Sequence, residues 1–206
     1  ELNDQPVIPN GRHIMTPPNE MLLADQPDIT KQFAEWAPFL LPADVTWLPA
    51  AMAAGVRPLS QVVSVVVVDG DEAVINTAGQ KRIAARYLLF ERLLRAETAG
   101  DHTLQVDVLQ KLKVMALPNL RIQAQLRLGS QIKVAEAEPV MAKWVNGVLY
   151  LDSERQPIPW TAVARELAHA IAPERNVGGL ALGIKEVLVA KSAADAATVL
   201  DELGYP

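Results

Sequence analysis

Between residues 120 and 128 every second side chain is apolar. Leu120, Ile122, Ala124, Leu126 and Leu128 alternate with Arg121, Gln123, Gln125 and Arg127. Successive side chains of a strand point to opposite faces, so the pattern predicts a strand with one buried and one polar face. Gly129-Ser130 then supplies a two-residue turn with glycine first, as a type II′ hairpin needs, and 132–137 returns. A second hairpin is written in 140–145, Asn146-Gly147 and 148–152, because Asn-Gly readily takes the positive φ angles of a type I′ turn. Together these segments predict a four-stranded antiparallel meander.

Helical periodicity surrounds it. Ile83, Tyr87, Phe90 and Leu94 fall on one stripe and predict a helix over about 80–99, broken by Gly100-Asp101. A shorter helix is expected over 104–112, and Pro118 prevents its extension. Three helices follow the second hairpin. The first, over 161–172, buries Trp160, Val163, Leu167 and Ile171. The second, over 177–190, uses Leu180, Ile184, Val187 and Leu188. The last, over 193–203, has Ser192 and Asp195 at capping-box spacing and Gly204 after it. Trp36, Trp47, Trp144 and Trp160 are read as core anchors.

Nine of the fifteen prolines lie within residues 6–58. Proline breaks helix interiors and central strands, so this third should consist of short elements joined by turns. A strand is expected at 21–24, a helix over 29–36 ended by Pro38, and another from about Ala43 to Gly55. The run 62–68 is rich in valine, which favours a strand, yet it follows Pro58-Leu59-Ser60, which favours a helix start. Asp69-Gly70-Asp71 is turn chemistry. The expected class is α+β, divided into a proline-rich, mainly helical part (1–75) and a part with an antiparallel sheet and C-terminal helices packed on it (76–206).

Composition narrows the function. With 206 residues the chain can bury a sizeable core, and with 50% apolar and 21% charged residues it is globular rather than disordered. A net charge of −5 excludes a broadly cationic nucleic-acid-binding shell but not a local basic patch. The absence of cysteine excludes disulfides, thiolate metal sites and cysteine nucleophiles, and fits a cytoplasmic location. The first six residues show no secretory signal pattern, and the most apolar run, 62–68, is too short to span a bilayer. The chain does not begin with Met, which fits an excised fragment.

Few residues are arranged for chemistry. Glu166 and His169 form an E-x-x-H pair on a predicted helix. A zincin also requires a preceding His next to the Glu, where Arg165 stands, and a di-iron bundle requires a second copy. The pair is carried as a polar pair on a solvated helix face. Gly178, Gly179 and Gly183 do not make a phosphate loop, because Lys185 is one place late and no Ser or Thr follows; a tight helix junction is expected instead. Asp69, Asp71 and Glu72 read as an acidic turn. No catalytic, cofactor or metal residue is assigned.

Residues 81–133 hold ten Lys or Arg against four Asp or Glu. Lys81, Arg82, Arg92 and Arg95 lie on the predicted helix, and Arg121 and Arg127 on the polar side of the strand. These six are the candidate contacts for a protein partner or for phosphate backbones. The simpler reading is a solvated amphipathic surface.

Two stretches resemble a known family. The first is Met21-Leu22-Leu23-Ala24-Asp25, then Phe33, Pro38-Phe39-Leu40 and 54–63 (Ala-Gly-Val-Arg-Pro-Leu-Ser-Gln-Val-Val). The second is Ile184-Lys185-Glu186-Val187-Leu188, then Ala190, Ser192, Asp195-Ala196 and 200–206 (Leu-Asp-Glu-Leu-Gly-Tyr-Pro). Together they resemble the C-terminal region of large bacterial proteins related to sacsin and to the plant NO VEIN protein, which carry a GHKL-type ATPase domain near the N-terminus. The resemblance implies a noncatalytic interaction or scaffold module next to an ATPase, contacting other parts of its own protein or a protein partner. The ATPase motifs themselves are absent here, so no nucleotide residue carries over. The alternative is a nucleic-acid-associated defence component using the basic face. Neither reading involves a membrane.

Overall fold

The computed structural model describes residues 4–6, 8–10, 12–25, 27–33, 35, 40–42, 46, 48–97, 109, 111–128, 131–172 and 178–205. In chain order its strands are β1 (Ile8–Pro9), β2 (Met15–Thr16), β3 (Leu22–Ala24), β4 (Leu40–Pro42), β5 (Arg57–Pro58), β6 (Val63–Val67), β7 (Val74–Ile75), β8 (Lys113–Leu117), β9 (Arg121–Leu128), β10 (Gln131–Val134), β11 (Glu138–Pro139), β12 (Ala142–Val145) and β13 (Val148–Asp152). The helices are α1 (Pro27–Gln32), α2 (Leu48–Ala53), α3 (Leu59–Val62), α4 (Thr77–Ala84), α5 (Tyr87–Glu97), α6 (Trp160–Ile171), α7 (Gly178–Val189) and α8 (Ala193–Glu202). The class is mixed α+β, with antiparallel hairpins and C-terminal helices packed on a sheet.

The chain forms two compact units. One comprises Glu1–Val66 and Gln123–Glu138, the other Val67–Ile122 and Pro139–Pro206. A division near residue 75 therefore describes the molecule less well than one in which a distant hairpin joins the N-terminal third.

In the first unit β3 lies between β4 and β5, with both neighbours parallel to it. Strand β9 pairs antiparallel with β10 and also pairs with β6. The alternation read from sequence appears as expected: Ala124 and Leu126 are buried, packing with Leu22, Phe33, Leu59 and Ala135. The valine-rich run uses both of its tendencies. It starts as the helical turn α3 after Pro58 and continues as β6. Gly55, at φ 106°, ends α2 as foreseen. Its N–H bonds Met52 and that of Val56 bonds Ala51, the paired closure of a helix by a left-handed residue.

In the second unit the sheet order is β12-β13-β8-β7. The β12–β13 hairpin turns through Asn146 and Gly147 at φ 50° and 83°, as Asn-Gly chemistry predicts. The two hairpins do not form one meander. β13 pairs parallel with β8 instead, from Val148 opposite Lys113 to Asp152 opposite Leu117. Helices α4 and α6 pack on this sheet, and α7 packs on α5, α6 and α8. The core joins Ile83, Phe90, Leu93 and Leu94 to Val114, Leu149, Val163, Leu167, Ile184 and Leu200.

The helix expected over 80–99 is two helices, α4 and α5, separated at Ala85-Arg86, where α4 tightens and α5 restarts on the Arg86 carbonyl. Ser192 and Asp195 make both bonds of the capping box, 3.0 Å each. Trp144 and Trp160 pack half-buried against the core. Trp36, Trp47, His102, the Gly129-Ser130 turn and most of the helix expected over 104–112 lie outside the described residues. Among the described residues no helix is long and apolar enough to cross a membrane.

Candidate binding groove

The E-x-x-H pair is not brought together as a site. Glu166 turns toward β12, where it accepts the backbone N–H of Trp144 at 3.0 Å and the Lys143 ammonium at 3.2 Å. β12 is an edge strand, so its outward N–H groups lack a ladder partner, and Glu166 supplies one. His169, one helical turn on, is exposed. Among the described residues no three His, Asp or Glu side chains stand together as metal ligands. Gly183 is the tight junction the sequence suggested: a Cβ there would stand 2.5 Å from a Leu93 methyl.

Of the four cations of the basic helix face, Arg82 and Arg92 are half-buried and bonded within the fold, while Lys81 and Arg95 are exposed. The last carbonyls of α7 have no helical partner and carry the negative end of the helix dipole. Arg82 donates from Nε to Leu188 (2.8 Å) and from Nη2 to Val189 and Ala190 (3.2 and 3.0 Å), while its guanidinium lies 5.1 Å from the Trp160 ring centroid. Arg86, buried, donates from Nε to Val187 and from Nη2 to Ala190, both at 2.8 Å, and from Nη1 to Arg82. Burial, and then the neighbouring Arg82 charge, hold the Arg86 guanidinium below its ordinary pKa. Arg92 bonds Asp201 and the Tyr205 carbonyl. Arg95 pairs with Glu91 at 2.6 Å along the same helix. Lys81 and Arg121 are exposed.

Arg127 is placed differently. On β9 it stands directly opposite Ile132 of β10, and Gln125 stands opposite Val134. Paired residues of adjacent strands share a face, so these four lie on the side of the hairpin away from Ala124 and Leu126. Ile132 and Val134 are about half exposed, at 52% and 46%. Arg57 from β5, Gln61 from α3 and Ser64 from β6 complete an open groove of about 550 Å³ with Gln125, Arg127 and Ile132. No acidic residue lines it among the described residues. Among the described residues neither the Arg57 nor the Arg127 side chain has a hydrogen-bond or ion-pair partner. By contrast Lys133, on the same hairpin, is paired with Glu35 at 2.7 Å.

Sequence reasoning found Arg127 through the strand's polar face but missed Arg57. Its only local signal is a cation just before Pro58, and its proximity to Arg127 arises from folding across some seventy positions. A second depression, of about 540 Å³, lies along α5 between Leu88 and Ala96, but its cations Arg92 and Arg95 already have carboxylate partners.

Comparison with protein-family models, with curated proteins and with solved structures returns no match for this chain.

Proposed function

We propose that this chain is a noncatalytic interaction module of a larger cytoplasmic protein, and that the groove of the first unit is its contact surface. One observation carries the reading. Arg57 and Arg127, drawn from distant parts of the chain, line one groove without a counter-charge among the described residues, while the guanidinium groups of Arg82, Arg86 and Arg92 are bonded within the fold. An arginine fork held in the open is suited to a planar anion delivered from outside.

The resemblance of 21–63 and 184–206 to sacsin and NO VEIN-like proteins supports the further reading that the parent is a GHKL-type ATPase and that the partner belongs to the same protein or to its assembly. The test is direct. The isolated chain should not turn over ATP, and the reading frame upstream of its coding segment should encode a GHKL-type ATPase domain. ATP hydrolysis by this chain would overturn the noncatalytic reading. A parent without such a domain would remove the ATPase association.

The nucleic-acid alternative is the weaker of the two. Of the six cations it invoked, Arg82, Arg92 and Arg95 are engaged with groups of the protein itself.

A further inference from the structure

We infer that the groove takes a short acidic segment of a protein partner in which carboxylate side chains neighbour aliphatic ones. This rests on the interaction-module reading and names the chemistry of its partner. The two guanidinium groups are the groove's charged groups among the described residues, so the ligand brings negative charge. Arg127 stands opposite Ile132, and exposed Val134 lies two residues further along β10. A ligand that satisfies the cation alone leaves these aliphatic side chains in water, whereas a peptide with Leu or Val beside Glu covers both. The carboxamides of Gln61 and Gln125 and the hydroxyl of Ser64 can bond a peptide backbone, which offers donors and acceptors alike.

Other anions fit less well. No aromatic side chain lines the groove among the described residues, so nucleobases have no stacking platform. Two cations neutralise few phosphates, and nucleic-acid affinity grows with that number. An inorganic anion fills a small part of about 550 Å³.

The test uses the full chain and a fluorescein-labelled peptide of alternating Leu, Glu and Val residues, read by anisotropy. The controls are the same peptide with Gln for Glu, labelled oligothymidylate, and inorganic phosphate as competitor. The acidic peptide should bind saturably, the Gln peptide should not, and added salt should weaken binding. R57E/R127E should weaken it about tenfold or more, and R57K/R127K should fall between, because lysine lacks the planar fork. If circular dichroism shows the double reversal unfolded, R127Q alone should show the loss. Equal binding of the Gln peptide, no binding of the acidic peptide, or binding indifferent to every arginine variant overturns the inference. Oligothymidylate bound through Arg57 and Arg127 in preference to the peptide overturns the acidic-peptide partner and leaves the module reading standing. Catalytic turnover by the chain would defeat the module reading whatever the peptide result.

Discussion

An arginine's role in this molecule is decided by what its guanidinium meets. Arg86 meets the end of a helix. Its two bonds at 2.8 Å to Val187 and Ala190 satisfy carbonyls that no N–H of α7 can reach. Arg86→Ala strands those acceptors in a buried place and should cost about 2–4 kcal/mol in urea unfolding, since charged hydrogen bonds contribute about 1.5–3 kcal/mol each and Arg82 retains part of the contact. Arg86→Lys should recover less than half of the loss, because one ammonium cannot serve two carbonyls with the same geometry. Gly183 is a second residue fixed by its neighbour. Alanine favours a helix over glycine by about 1 kcal/mol, but its methyl would enter the fully buried Leu93 side chain. Overpacking of that kind costs about 1–3 kcal/mol, so Gly183→Ala should lower the melting temperature rather than raise it. Little of this was legible beforehand. Periodicity marks which face of α4 is polar, but the carbonyls that Arg82 bonds lie more than a hundred positions later, at Leu188 to Ala190.

Elements were more legible than residues where the signal was local. The strand β9, the Asn146-Gly147 turn, the closure of α2 at Gly55 and the Ser192–Asp195 capping box follow from short-range chemistry and stand where the sequence put them. Ser192→Ala should cost about 1 kcal/mol, measured as a shift of the unfolding midpoint, and Ser192→Asp should cost much less because it keeps an acceptor at the cap. Pairing beyond the two hairpins was not legible. The five residues of β8 show no sustained alternation, and its parallel partner β13 lies thirty-five positions away, so nothing local announces that the second hairpin extends a sheet of its own. The interruption between α4 and α5 likewise has no proline or glycine to mark it. The tertiary demand is visible instead: Arg86, at the break, is bonded to the end of α7. Glu166 belongs to the same scale. The E-x-x-H spacing predicts half of a polar pair on a solvated face, yet Glu166 pins an edge strand to α6. Glu166→Ala should cost about 1–2 kcal/mol and speed hydrogen exchange at the Trp144 amide, whereas Glu166→Gln, still an acceptor, should cost less.

For the whole molecule, the two units use arginine in opposite ways. The second unit holds a helix end together with Arg82 and Arg86, and the first presents Arg57 and Arg127 to solvent across a groove free of acidic lining among its described residues. The comparison that tests this contrast most directly is urea unfolding of R57A/R127A and R86A beside the parent chain, paired with anisotropy of the acidic peptide. The account predicts R57A/R127A within about 0.5 kcal/mol of the parent in stability, as for surface changes generally, with peptide binding lost. It predicts R86A destabilised by about 2 kcal/mol or more, with binding retained below its unfolding midpoint. A large stability loss in R57A/R127A together with undiminished peptide binding would contradict it, because those two side chains would then serve the fold and not a partner.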